Sequence, residues 1–553
     1  MHARNDSLLL PATPNDPPDR LSEQQKTRSY IGPVEEKPLV LSMLLAWISP
    51  LFLIASAVPE ESSFTLNDLV QPHTYQRLFD TLSASVASEY EGKVISFDES
   101  KVIEYDAPTF SIKKLNEKYS SVLYESDMVI HPERLKEIVE SSIDTRSGRR
   151  IRKRKAFVDY MYPRTIWTNG VPYSIHPSVV GLARQNVVRA IAFWQAETCI
   201  NFRPRTTEKQ FVEFIGNDEG CWSTVGKDEA LGRQVVSIGR GCEHFGVTSH
   251  ELAHSLGVFH EQSRYDRDGA VQLNKNVVAP TLLFNFAKIS PRELNTYRLP
   301  YDVGSVMHYT PTEFSSYKSI PALTTVDPNL QQSMGQMEGP SFLDVMVLNL
   351  HYNCQARCPR LLPCQNGGFT DSRNCNRCKC PTGYGGALCD GVPPSFSKGC
   401  GGQLIAYEAI RRFDITIKQI GQRRTKQCFY HLRAPKGKRV LVNIVRVQGR
   451  CVEGCWEDGV EFKMTNDPRP VGYRFCCQPR YQRRIVSRTN VVPFIVTSRN
   501  VGITLTFEYT FVDANAHYDF DEEVALTTPA PVEVTETVEM QSDGVNTTIA
   551  KVL

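Results

Sequence analysis

No cysteine precedes Cys199, and all sixteen fall between Cys199 and Cys477. An even count gathered in the later part of a chain reads as disulfides made in an oxidising compartment. A cytosolic zinc finger is the weaker reading, because Cys375-x-x-Cys378-x-Cys380 lacks a second pair at suitable spacing. An excess of charge of one sign is also missing. A net charge of +2 over 553 residues gives no global case for nucleic acid or acidic lipid as partner. There are no internal repeats, and no tail anchor or lipidation motif is expected. At this length one hydrophobic core is insufficient, so several domains are expected.

What is present centres on one stretch, His250-Glu251-Leu252-Ala253-His254-Ser255-Leu256-Gly257-Val258-Phe259-His260-Glu261. His250 and His254 are four apart and share one face of a helix, where two neutral imidazoles make two metal ligands. Glu251 can reach a water on the metal as general base. Gly257 lets the chain leave through a left-handed turn, which returns His260 to the same point. Three ligands leave one position open, as in a catalytic zinc site. Met307, in Ser305-Val306-Met307-His308-Tyr309, matches the Met-turn that follows such a motif in metzincins.

The extension His260-Glu261-Gln262-Ser263-Arg264-Tyr265-Asp266-Arg267-Asp268, taken with Ser305–Tyr309, resembles the astacin family of zinc endopeptidases. The resemblance covers roughly residues 156–354 and implies an α+β metzincin catalytic domain with one Zn2+. It implies that Tyr309 is a fifth zinc ligand that swings away to help stabilise the oxyanion. Glu261 is expected to hold the mature amino terminus through water. Family pairing would join Cys199 to Cys354 and Cys221 to Cys242. Gly335-Gln336-Met337 falls where tolloid-like proteinases carry G-Q-R; a thioether makes no ion pair, so an acidic preference after the cut is not expected.

Residues 1–38 are polar and lack apolar periodicity, which reads as a disordered leader. Residues 39–58 are nearly continuously apolar and end in Ala55-Ser56-Ala57. A signal peptide over 39–57, cleaved at that A-x-A-like site, is one reading; an uncleaved anchor of a type II membrane protein is the other. Residues 58–155 read as a propeptide with helical patches near 78–90 and 132–142. The segment ends in Arg149-Arg150-Ile151-Arg152-Lys153-Arg154-Lys155, a site for a proprotein convertase, with the mature start between Lys153 and Ala156. Tyr124-Glu125-Ser126-Asp127 resembles the F-x-G-D element of astacin propeptides, whose aspartate takes the place of the water on zinc. Asp127 is therefore the candidate zymogen ligand.

In the peptidase region a helix is expected over 177–197, with Val187, Ile191 and Trp194 facing the core. Strands are expected at 211–216 and 234–238. By resemblance one of these borders the cleft and pairs with extended substrate. Six cysteines between Cys358 and Cys389 resemble a disulfide-stapled EGF-like module over 355–390, with implied pairs Cys358–Cys375, Cys364–Cys378 and Cys380–Cys389. No acidic lead-in suggests calcium there. Residues 400–512 alternate in short runs and resemble an all-β CUB sandwich, with Cys400–Cys428 implied and two further bridges among Cys451, Cys455, Cys476 and Cys477. Residues 513–553 are acidic and rich in Thr, Pro and Val, which reads as disorder. Asn546 heads an N-glycosylation sequon.

The motifs and the resemblance together imply a secreted zinc endopeptidase made as a zymogen and acting on extracellular proteins; resemblance to nematode members of the family suggests matrix, collagen or cuticle components, in moulting or hatching. It has no nucleic-acid partner, and meets a membrane only if the segment at 39–57 is retained. A non-catalytic matrix-binding protein and a membrane-tethered sheddase are the other readings.

Overall fold

The computed structural model describes Leu66 and residues 72–93, 103–106, 110–144, 162–217, 220–317, 319–418, 425–479, 483–515 and 535–540. The leader, the apolar run at 39–58, the basic run at 149–155 and Asn546 lie outside them. Among the described residues no helix is long and apolar enough to cross a membrane.

The cysteine-free N-terminal segment carries helix α1 (Pro72–Glu89), the short helix α2 (Ile112–Leu115), strand β1 (Met128–Val129) and helix α3 (Pro132–Asp144). Pro72 suits the first turn, where no backbone donor is required. Helix α1 buries Tyr75, Phe79, Leu82 and Val86, an i, i+4, i+7, i+11 stripe. Phe79 stacks on Phe284 of the peptidase region at 4.2 Å.

The peptidase region opens with β2 (Val171–Ile175), α4 (Gly181–Glu197), β3 (Phe202–Pro204), β4 (Phe211–Ile215), β5 (Cys221–Thr224) and β6 (Arg233–Ile238). These form one sheet in the order β1-β5-β6-β4-β2-β3, parallel throughout except for β5 against β6. Helix α4 starts four residues later than its sequence pattern indicates. The Ser178 hydroxyl sits 2.8 Å from His176 Nδ1 and receives the Gly216 N–H at 3.0 Å, which holds 176–179 in a turn. Val187, Ile191 and Trp194 pack with Val212, Phe214, Val236 and Leu252 in a common core. The strand expected to border the cleft is neither of the two read from sequence: β4 and β6 both lie inside the sheet. The edges of the peptidase's own strands are β5 and β3, and β1 of the N-terminal segment covers β5. Four fully buried residues, Cys-Trp-Ser-Thr, show no alternation from which a strand could be read.

Helix α5 (Phe245–Ser255), the ribbon of β7 (Val271–Leu273) with β8 (Leu323–Thr325), and helix α6 (Phe342–His351) complete this region. Disulfide Cys199–Cys354 ties the end of α4 to the end of α6, and Cys221–Cys242 ties β5 to the entry of α5. Next comes a hairpin of β9 (Phe369–Asp371) and β10 (Asn374–Lys379). It is stapled by Cys358–Cys375, Cys364–Cys378 and Cys380–Cys389.

The last region is a sandwich of two five-stranded sheets. Its strands are β11 (Gly402–Ile405), β12 (Arg411–Lys418), β13 (Lys426–Arg433), β14 (Lys438–Gln448), β15 (Asp458–Phe462), β16 (Tyr473–Phe475), β17 (Arg483–Val486), β18 (Val491–Ser498), β19 (Gly502–Asp513) and β20 (Thr535–Met540). The sheet orders are β11-β13-β18-β15-β16 and β17-β14-β19-β12-β20. Alternating inward residues put Phe413, Phe462, Phe494 and Phe507 in one core. Bridges Cys400–Cys428, Cys451–Cys477 and Cys455–Cys476 complete the set of eight. The tail expected to be disordered contributes β20, parallel to β12 with Thr535 opposite Arg412. Its Thr-Glu-Thr-Val-Glu-Met sequence carries three β-branched residues, and it pairs with what would otherwise be a bare sheet edge.

The sandwich stands against the peptidase segments on either side of Met307. Gln332 Oε1 accepts the N–H groups of Cys476 and Cys477 at 3.3 and 3.4 Å. Asp302 accepts the Val471 N–H at 3.0 Å, and the Thr312 hydroxyl donates to Glu453 at 3.0 Å.

Candidate metal centre

Helix α5 is buried almost all round. At Gly246 a Cβ would lie 2.2 Å from the Met337 carbonyl, so this position admits no side chain. The helix ends in paired bonds, Gly257 N–H to His254 O at 2.8 Å and Val258 N–H to Ala253 O at 3.1 Å. This is a Schellman end, and it requires the positive φ of +100° that Gly257 adopts. The reversal brings His260 back beside His250 and His254.

Each imidazole is oriented through Nδ1. His250 Nδ1 meets the Val306 carbonyl at 2.8 Å, and His254 Nδ1 meets the Val258 carbonyl at 2.7 Å. His260 Nδ1 meets the Glu125 carboxylate at 2.9 Å. Carbonyl and carboxylate oxygens only accept, so Nδ1 carries the proton and each Nε2 presents a lone pair. These Nε2 atoms converge, with His250 3.0 Å from His254 and 3.3 Å from His260. Asp127 Oδ2 lies 3.3 Å from His250 Nε2 and 3.1 Å from His260 Nε2, and Oδ1 lies 3.6 Å from His254 Nε2. Imidazole nitrogens and a carboxylate converging at such distances form a site that a cation would hold together. Three imidazole nitrogens and one carboxylate oxygen, all within 4.8 Å of one another, fit a four-coordinate zinc ion. The Val306 carbonyl is placed by the turn around Met307. There Asp344 accepts the Ser305 hydroxyl at 2.6 Å and the Val306 N–H at 3.0 Å.

Glu251 is fully buried, and neither carboxylate oxygen has a hydrogen-bond partner. Burial first, then the charge of Asp127, push its carboxyl well above the ordinary range. A buried carboxylate beside the metal ligands with both oxygens uncommitted is free to exchange a proton with whatever enters the site.

Asp127 is delivered by a tight loop. Tyr124 and Met128 exchange backbone bonds at 2.9 and 3.0 Å, and Glu125 and Ser126 adopt φ of 51° and 75°. Asn116 holds the loop to β5: its amide donates to the carbonyls of Ser126 (2.8 Å) and Cys221 (2.5 Å), and its Oδ1 accepts the Cys221 N–H at 2.8 Å. Glu125 also accepts the Ser263 hydroxyl at 2.5 Å.

Two of the expected site residues are engaged by other partners here. The Tyr309 hydroxyl donates to the Glu125 carbonyl at 2.8 Å, so the loop claims the group expected as fifth ligand. Glu261 receives Arg264 at 2.7 Å and the Asp302 N–H at 2.9 Å. The mature start, which Glu261 was expected to meet, lies outside the described residues. Sequence reasoning missed Asn116, Glu125 and Asp344. For Asp344 a signal existed, since Ser341-x-x-Asp344 heads the apolar run of α6 as a capping box. Asn116 and Glu125 have no such signature.

The family model "Astacin (Peptidase family M12A)" matches residues 159–353. Zinc metalloproteinase nas-29 of Caenorhabditis elegans is 54% identical over 471 residues, which cover 83% of this chain and 88% of that protein. Zinc metalloproteinase nas-23 of the same organism is 42% identical over 453 residues, covering 81% and 83%. Among solved structures, high choriolytic enzyme 1, a hatching enzyme zinc-protease from Oryzias latipes, is 33% identical. It covers 36% of this chain and 98% of its own, with a TM-score of 0.33.

Proposed function

The chain belongs to the astacin family and is a zinc metalloendopeptidase, and from that premise we propose that it is made as a secreted zymogen whose N-terminal segment plugs its own metal site. The observation that carries the proposal is the Asp127 carboxylate standing among the three Nε2 atoms. His250, His254 and His260 would hold the zinc ion, with Asp127 as a fourth ligand for as long as the segment stays in place. Zinc supplies a Lewis acid and lowers the pKa of a water that it binds. Glu251 takes a proton from the attacking water and delivers it to the leaving amine. Tyr309, released from the Glu125 carbonyl when the loop departs, donates its hydroxyl to the developing oxyanion, an interaction of about 3 kcal/mol in comparable sites. Met307 and Gly257 keep the ligands in place. Strand β5, cleared of β1, takes an extended substrate by strand addition.

Processing within Arg149–Lys155 by a proprotein convertase removes the plug. Eight disulfides support an extracellular setting, and extracellular matrix, collagen or cuticle proteins are the substrates we infer. The test is proteolysis of gelatin and casein by the processed chain, with and without a chelator and beside Glu251→Ala. Cleavage abolished by both supports the reading. Zinc-loaded, processed chain that cleaves neither protein contradicts it.

A further inference from the structure

The N-terminal segment touches more than the metal centre. At residues 103–106 it lies on the sandwich, over the paired bridges Cys451–Cys477 and Cys455–Cys476, where Ile103 and Tyr105 pack on the four sulfurs' side chains. Asp106 donates its N–H to the Cys451 carbonyl at 2.8 Å, and its carboxylate accepts the Cys451 N–H at 2.8 Å. This is two-point recognition of one residue by the backbone of another. Farther along, the Phe110 ring stands 6.1 Å from His244 in edge contact, and His244 stands 6.5 Å from Trp456. His244 immediately precedes α5, the helix of the metal ligands. One strip of surface therefore runs from the sandwich to the catalytic helix.

The strip is fixed in place. Gly454 lies so close to Gln336 that a Cβ would meet its Cα at 2.3 Å, and Gln332 and Thr312 bond to the loops carrying Cys476, Cys477 and Glu453. When the segment leaves, the Cys451 N–H and carbonyl lose these partners, and a half-apolar cystine surface loses its cover. Backbone groups and apolar surface left this way favour another chain of the same chemistry.

Resting on the zymogen reading above, we propose that this strip is an exosite of the processed enzyme. It takes an extended segment of a protein substrate that carries an aromatic residue followed by aspartate, as Tyr105-Asp106 does now. A polypeptide longer than the cleft meets the strip as the N-terminal segment does; a short peptide does not reach it.

The test uses the processed full-length chain and a blocked peptide of residues 103–111, which lacks Asp127. The peptide is expected to slow casein cleavage while leaving cleavage of a six-residue quenched peptide unchanged. Its Asp106→Ala form is expected to need roughly tenfold more for the same effect, from loss of a charge-assisted bond. Trp456→Ala in the enzyme is expected to weaken binding of the labelled peptide severalfold. Equal inhibition of both substrates would place the peptide in the cleft and overturn the proposal, as would inhibition of neither. Failure of the zymogen reading shows separately, as equal cleavage of the short peptide by unprocessed and processed chain.

Discussion

On one side of the metal centre stand three imidazoles, two of them tied through Nδ1 to backbone carbonyls inside the peptidase fold. On the other stands one carboxylate at the tip of a loop with two non-glycine residues in left-handed backbone. The first side is fixed by a buried helix, its Schellman end and the Asp344-held turn. The second depends on Asn116, on one two-residue strand and on the bonds that Glu125 makes to His260 and Ser263. A permanent ligand set is locked through its own backbone; a removable ligand is held by side chains that leave with it.

The largest expected effect breaks the permanent side. Glu251→Ala should lower kcat of the processed enzyme on the order of a thousandfold, while zinc content, measured by metal analysis, stays at one per chain. Next comes the removable side. Asp127→Ala, in a chain whose 149–155 run is made uncleavable, should raise cleavage of a quenched peptide at least tenfold over the same chain with Asp127. No rise would mean that the plug does not depend on this carboxylate.

Acid separates the metal centre from the sandwich beside it. Buried Glu461 is held down to about 2, because Lys463 and Arg474 outweigh the burial that would raise it. Its folded value lies below its unfolded value of about 4.3, so its contribution is present above that value and is lost as pH falls through about 2. The unfolding free energy of the sandwich should therefore fall between about pH 4.5 and 2, by up to about 3 kcal/mol. Glu461→Gln should flatten that slope. Asn116→Ala should loosen the loop by about 2 kcal/mol, read as faster amide exchange at residues 124–129. The smallest effect runs the other way. Ser126→Gly removes a left-handed cost of about 1–2 kcal/mol, partly offset by glycine's greater freedom when unfolded, and should slow exchange in the same loop.

The sequence spacing that made the ligands legible is the periodicity of a helix followed by a glycine reversal, and both are local. His250, His254, His260 and Glu251 could be read because one twelve-residue stretch carries them. Asp127 could be read only through its neighbours, and Ser126 hides the glycine that would mark the loop. Asn116 and Glu125 act on residues more than 100 positions away, and nothing in their own surroundings announces it. The edge strand β5 was missed because all four of its residues are buried, and β20 because a Thr- and Glu-rich tail reads as solvated until an open edge is there to pair with it. The docking of Cys451 to Cys477 against Gln332 is a contact between surfaces, which spacing along the chain does not encode.

The most direct test of the account is zinc-edge X-ray absorption on the zinc-loaded, unprocessed chain beside its Asp127→Ala variant. The account predicts three nitrogen donors at about 2.0–2.1 Å and one carboxylate oxygen at about 2.0–2.2 Å, with the carboxylate signature absent from the variant. Identical spectra from the two chains would contradict it, because zinc would then be bound without the residue said to plug the site.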